Sequence, residues 1–116
     1  VTSDLRLKTN IAPLQNSVAD IMQLKPVSYE KKSSLASNSS SIKENGFIAQ
    51  DLQKVMPSLV TEGTDNDKLL SVNYTALIPV LTKALQEQQK QIEDQNAKIA
   101  AQQKQIEELI KLVKGQ

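Results

Sequence analysis

Two side chains near the start of the chain are of types that form a reactive pair when they meet: the Ser3 hydroxyl and the Lys8 amine, five residues apart in VTSDLRLKTNI. The chain has no histidine and no cysteine, which excludes the commonest general base, thiolate nucleophiles, disulfides, and imidazole or thiolate metal sites. Chemistry here is left to Ser, Lys, Asp, Glu and Tyr, and no metal or cofactor is expected. A Ser–Lys dyad is one such arrangement: the hydroxyl attacks a carbonyl while the amine takes its proton. That role requires burial or neighbouring positive charge to bring the lysine below its free value of about 10.4. Arg6 acts in that direction, whereas Asp4 acts against it by stabilising the ammonium.

Spacing alone does not bring the two groups together. Five residues of extended strand span roughly 16 Å and leave Ser3 and Lys8 on opposite faces, and five along a helix leave them about 140° apart. A working pair requires a chain reversal near Ser3-Asp4, or a Lys8 from a neighbouring copy. Judged by spacing, the plainer alternative of a strand end with a surface lysine prevails.

The elements that must position this segment follow from periodicity. Residues 1–9 alternate, with Leu5 and Leu7 opposite Asp4, Arg6 and Lys8, which predicts a short half-buried strand. Asn10 offers an N-cap, and Ile11, Leu14, Val18, Ile21 and Met22 predict a helix over about residues 11–24, ended by Pro26. Residues 26–30 and 42–48 read as a hairpin around the loop SSLASNSSS, with Gly46 marking a bulge or tight bend. A two-turn helix over residues 49–55 ends before Pro57, and residues 58–61 and 69–72 bracket the polar turn EGTDNDK as a second hairpin. Tyr29, Phe47 and Tyr74, the only aromatics, are expected as core residues. Gln50 and Asp51 are expected as plain polar residues at a helix start.

Asn73 can cap the last element, which runs from Tyr74 to Lys114 without glycine. Ile78, Leu85, Ile92, Ile99, Ile106 and Val113 recur every seven residues as a positions, with Leu81, Gln88, Gln95, Gln102 and Leu109 at d. Three Gln d layers, β-branched a residues and flanks without opposed charges favour a parallel homotrimer over a dimer. Pro79 predicts a kink or a fresh helical start at the neck. Such a helix is about 60 Å long, too long to be covered by its own globular part. The fold expected is therefore α+β: a small mixed region, residues 1–73, followed by a trimeric coiled coil, residues 74–116.

Composition narrows the partners. With 39% hydrophobic residues and three aromatics in 116, the chain has little to fill a core. A net charge of +1 from 14 basic and 13 acidic residues presents no single-sign field, so neither nucleic acid nor an anionic membrane is an expected partner. No signal segment or apolar run of spanning length occurs in this sequence.

Five ordered blocks carry a resemblance: Ser3-Asp4-x-Arg6-Leu7-Lys8-x-Asn10-Ile11, Leu24-Lys25-Pro26-Val27-x-Tyr29, Gly46-Phe47-Ile48-Ala49-Gln50-Asp51, Pro57-x-Leu59-Val60 and Val72-Asn73-Tyr74-x-x-Leu77-Ile78-Pro79. Together they resemble the C-terminal intramolecular chaperone domain of phage endosialidases, tailspikes and tail fibres. The resemblance implies a homotrimer that registers the upstream fibre segment of its own polypeptide and then cuts itself off. It implies Ser3 as nucleophile, Lys8 as base and Thr2-Ser3 as the scissile bond, with Asp4, Asn45 and Gln50 as candidate assistants. Asn45 stands where the family often has histidine, and an amide does not exchange protons near neutrality. The implied setting is a virion precursor in the bacterial cytoplasm, or a bacterial surface fibre. The alternatives are, from a different class, a non-enzymatic trimer clamp that never cleaves, and a monomeric helical-hairpin binding module, which requires the heptads to be coincidental.

Overall fold

The structure, a computed structural model, describes residues 1–116. After a single 3-10 turn at Leu5–Leu7 come α1 (Ser17–Met22), β1 (Val27–Lys32), β2 (Ser41–Gly46) and α2 (Ala49–Val55). A second 3-10 turn at Pro57–Leu59 leads into β3 (Val60–Glu62), β4 (Leu70–Val72) and the long α3 (Leu77–Lys114). The α+β class is as expected. The strands form two separate antiparallel hairpins, β1 with β2 in the register Val27↔Gly46 to Lys32↔Ser41, and β3 with β4 in the register Val60↔Val72 to Glu62↔Leu70.

Several expected elements differ. The strand expected over residues 1–9 is instead the 3-10 turn: the Asp4 carboxylate accepts from the Arg6 N–H and the Asp4 carbonyl from the Leu7 N–H, so local bonds replace a ladder that has no partner strand. The helix expected over 11–24 shrinks to α1. Asn10 and Asn16 both adopt left-handed backbone (φ 53° and 59°), which breaks helical continuity, and Ala12 precedes a proline and is biased towards extended backbone. The hairpin around Ser33–Ser40 is closed by Ser33 N–H to Ser40 carbonyl (2.8 Å) and tied by Ser39 Oγ donating to the Ser34 carbonyl (2.9 Å), the local bonding its composition suggested.

The core is small and aliphatic. Leu52, Met56, Leu59, Val60 and Leu77 form one buried cluster, flanked by Ile21, Leu24, Phe47, Leu70, Val72 and Val80. The aromatics are not in it; Tyr74 remains 45% exposed. Phe47 packs against its edge, and the hydroxyls of Tyr29 and Tyr74 serve a polar joint at the base of α3. The Tyr74 hydroxyl accepts from the Phe47 N–H at 3.0 Å, the Tyr29 hydroxyl donates to the Glu44 carboxylate at 3.3 Å, and the Phe47 and Tyr74 rings stack at 6.0 Å. Gly46 makes no bulge, since it pairs one-to-one with Val27 at the end of the ladder. A Cβ there would stand 2.6 Å from the Tyr29 hydroxyl and against that of Tyr74, so glycine is required for close approach.

Helix α3 starts afresh at Leu77, which places Pro79 in its first turn, where the missing N–H costs nothing. Asn73 accepts from the Ala76 N–H at 3.3 Å and caps the lead-in turn. One face of the neck belongs to the chain's own fold: Leu77 and Ala84 are buried, Val80 packs on the core, and Glu87 reaches α1. There the Glu87 carboxylate accepts from the Ser17 and Val18 N–H groups at 3.1 and 3.2 Å, capping α1 where Asn16 makes no side-chain cap.

Glu87→Ala should lower stability to urea by about 1–2 kcal/mol and speed hydrogen exchange at the Ser17 and Val18 amides; unchanged exchange at both would contradict the cap. Hydrogen bonding to Tyr74, then loss of solvent and the nearby Tyr74 and Glu44 charges, pushes the Tyr29 phenol up to about 12. The fold thus favours the neutral phenol, a contribution complete below the ordinary phenol range and lost as pH rises towards about 12. Ultraviolet titration should show one phenol resisting ionisation to about pH 12, with Tyr74→Phe returning Tyr29 towards its ordinary range.

Candidate functional site

The 3-10 turn decides the geometry at Ser3. Its tight winding returns the chain after about three residues with a rise of about 2.0 Å each, against about 3.3 Å in a strand. Asp4 and Lys8 on either side are extended, so the side chains before and after the turn meet on one side. The Lys8 Nζ and Ser3 Oγ are 2.5 Å apart, within one chain. An ammonium donates across this contact, and a neutral amine would accept the Oγ proton across the same line. The chain reversal that spacing demanded is present, and its cause is the Asp4 carboxylate.

Asp4 does not face Lys8. Its Oδ1 accepts from the Arg6 backbone N–H at 2.8 Å and from Arg6 Nε at 3.0 Å, and its Oδ2 from Nη2 at 3.0 Å. These Arg6 bonds, first from the side chain and then from the backbone, hold the Asp4 carboxyl below the usual carboxylate range, and the Arg6 guanidinium is raised by the same pairing. The Arg6–Asp4 contact is the only ion pair in the chain.

The remaining candidates lie elsewhere. Asn45 is exposed on β2 and lines a recess of about 410 Å³ with Ser28, Tyr29, Glu30, Lys43 and Glu44; neither Ser3 nor Lys8 borders it. Gln50 is exposed in the first turn of α2. No hydrogen bond joins Asn45 or Gln50 to Ser3 or Lys8, so the structure does not assemble them into one constellation. A bond that is part of the same chain needs no recess to bind it, because covalent attachment already supplies proximity. No cluster of three His, Cys, Asp or Glu side chains is placed to hold a metal ion.

A second candidate surface runs along α3. Ile78, Leu81, Leu85, Ile92, Ile99, Ile106, Leu109 and Val113 are between 46% and 70% exposed, with Gln88, Gln95 and Gln102 exposed between them. At the neck, where Ile78, Leu81, Leu85 and Gln88 carry it, this seam lies about 100° around the helix from the Leu77–Val80–Ala84–Glu87 face, at 100° per residue, so the two faces point in different directions there. Towards the C-terminal end Ile110 and Leu112 widen the apolar face to the e and g positions. The residues that sequence reasoning missed are Glu87 and the Tyr29–Gly46–Tyr74 joint, whose partners lie 70 and 45 residues away. Asp4-x-Arg6 was visible as a local pair, and its ability to wind a turn was the available signal.

Comparison with known proteins places residues 3–61 in the peptidase family described as "chaperone of endosialidase". The match begins at Ser3. Similar proteins include the long tail fiber protein Gp37 of Enterobacteria phage M1, 34% identical over 96 residues. The corresponding proteins of phage K3 and Escherichia phage AR1 are 31% identical over 101 residues and 32% over 89. These alignments take in 81%, 85% and 75% of this chain but 38%, 8% and 8% of the relatives' lengths.

Proposed function

The chain belongs to the chaperone-of-endosialidase family, and from that premise we propose that it is the intramolecular chaperone of a phage tail fibre, which trimerises through α3 and releases itself at Thr2-Ser3. The observation that carries the cleavage reading is the 2.5 Å contact between Lys8 Nζ and Ser3 Oγ, at the first residue of the family match. In the proposed step, neutral Lys8 takes the Ser3 Oγ proton and Oγ attacks the Thr2 carbonyl carbon. The Thr2–Ser3 C–N bond breaks as the new Ser3 amine takes the proton back, leaving Thr2 as an ester on Oγ. Water then hydrolyses the ester to a Thr2 carboxylate and a free Ser3 hydroxyl.

Trimerisation is supported by area. The chain exposes 10021 Å², against about 6,300 Å² for a compact monomer of its 12.8 kDa, and its radius of gyration is 23.5 Å against about 13 Å. Surface on this scale comes from a long helix that its own fold does not cover, and the exposed heptad residues are the apolar part of it available to other copies. The wide apolar face at Ile106–Val113 suits three strands better than the narrow seam of two. Early pairing of three α3 helices raises the effective concentration of the attached upstream chains, and cleavage after they fold leaves a kinetically trapped fibre. The fibre partner and virion setting follow from the tail-fibre relatives. No helix is long and apolar enough to cross a membrane.

With its fibre segment upstream, the chain should yield fragments beginning at Ser3 by mass spectrometry. Ser3→Ala and Lys8→Ala should each slow this by about 10³-fold or more; intact wild-type chains would overturn the cleavage reading. Sedimentation of the 116 residues should give a trimer at micromolar concentration, and a monomer there would overturn the seam. Replacing Gln88, Gln95 and Gln102 by Leu should raise the melting temperature while mixing oligomeric states, and a uniquely trimeric product would show that the glutamines do not specify strand number.

A further inference from the structure

Asp4, four residues before Lys8, carries the charge that would pair with a lysine ammonium. We propose that Arg6 is a positioning residue for self-cleavage, clasping Asp4 so that the carboxylate is kept off Lys8 and the amine is left to Ser3. The proposal rests on the cleavage reading above and adds a residue and a role to it.

Three observations carry it. First, Asp4 is the only acidic residue before Asp20, so it is the one nearby carboxylate able to compete for Lys8. Second, both Asp4 oxygens are occupied, Oδ1 by the Arg6 N–H and Nε and Oδ2 by Nη2, a planar fork that a lysine ammonium cannot reproduce. Third, Lys8 Nζ makes its bond to Ser3 and forms no ion pair, although it sits one turn from Asp4. No hydrogen bond or ion pair joins the Lys8 side chain to any other element, and the charged side chains nearest to it in sequence are Arg6 and Asp4.

The clasp is not there for stability, because an exposed ion pair contributes little to folding. Its effect is on the choice of partner. The same Asp4–Arg6 backbone bond that caps the 3-10 turn, next to which Lys8 meets Ser3, also holds the carboxylate at Arg6. The lowered Asp4 and raised Arg6 values agree with a pair in which each charge favours the other. Removing Arg6 frees Asp4 to hold Lys8 as ammonium, the form that cannot accept the Ser3 proton.

The test is the pH profile of self-cleavage in the chain with its fibre segment attached, for wild type, Arg6→Ala, Arg6→Lys, Asp4→Ala and the double variant Arg6→Ala/Asp4→Ala. Arg6→Ala should cleave about tenfold more slowly near neutrality, with its profile displaced upwards by about one pH unit. Arg6→Lys should recover only part of the displacement. The double variant and Asp4→Ala should return the profile to its wild-type position, even where loss of the turn lowers the maximal rate. A uniform slowing without displacement in Arg6→Ala, or a displacement that survives removal of Asp4, overturns the proposal. NMR titration of the Lys8 Cε resonance in Ser3→Ala gives a readout independent of cleavage. Its midpoint should rise when Arg6→Ala is added and fall back with Asp4→Ala, and coincident midpoints overturn the clasp. A midpoint that moves in a chain that never cleaves upholds the clasp's hold on Asp4 while sinking the cleavage reading, so the two failures are distinguishable.

Discussion

Everything in this structure hangs from Leu77. It is the one residue of α3 in the buried aliphatic cluster, and it fixes the base of a 38-residue helix on a core of only five side chains. From that anchor the helix presents two faces. Leu77, Val80, Ala84 and Glu87 turn inwards to the chain's own core and to α1, and the heptad seam beginning at Ile78 turns outwards. The inward face is already satisfied and the seam is left uncovered by the chain itself, and because both faces share one rigid element, the proposed assembly at the seam would fix where each globular part sits.

The core is too small to explain the fold alone, and polar contacts of high sequence separation make up part of the difference. Glu87 supplies to α1 the N-terminal acceptor that its own Asn16 does not. Tyr74 supplies an acceptor to the Phe47 N–H, tying the β1–β2 hairpin to the start of α3, and Gly46 leaves the space in which both tyrosine hydroxyls fit. Each bond satisfies a backbone group that is otherwise left to water, so they orient elements more than they stabilise them. The aromatics stay partly exposed for that reason.

The N-terminal turn works on a different principle. It is built almost wholly from neighbours in sequence: Asp4, Arg6 and the carbonyls of Asp4 and Leu5 account for its bonds. A reactive pair held by local bonds needs no preformed pocket, and it travels with the bond it is proposed to cut. Leu5 and Leu7, at 71% and 74% exposed, remain without partners within the chain, so the turn is held by polar bonds and not by packing.

Much of this was legible from residue order. The heptads of α3, the α2 helix ending before Pro57, the two hairpins and the serine-tied loop all follow from interactions between residues close in sequence, where periodicity and turn chemistry operate. The ordered blocks also carried the family, which the match over residues 3–61 shows. What failed was alternation at Leu5 and Leu7, because a period-2 pattern without a partner strand has no ladder to form, and an Asp side chain offered nearer bonds. The sequence by itself determined that, without His or Cys, chemistry was left to Ser, Lys, Asp, Glu and Tyr, and that a heptad seam would run the length of the last helix. Only the tertiary structure decided that Ser3 and Lys8 meet, that Asp4 is turned away to Arg6, that Glu87 caps a helix 70 residues upstream, and which face of α3 is left open. Those outcomes depend on directions of side chains and on partners distant in sequence, and neither is encoded in spacing.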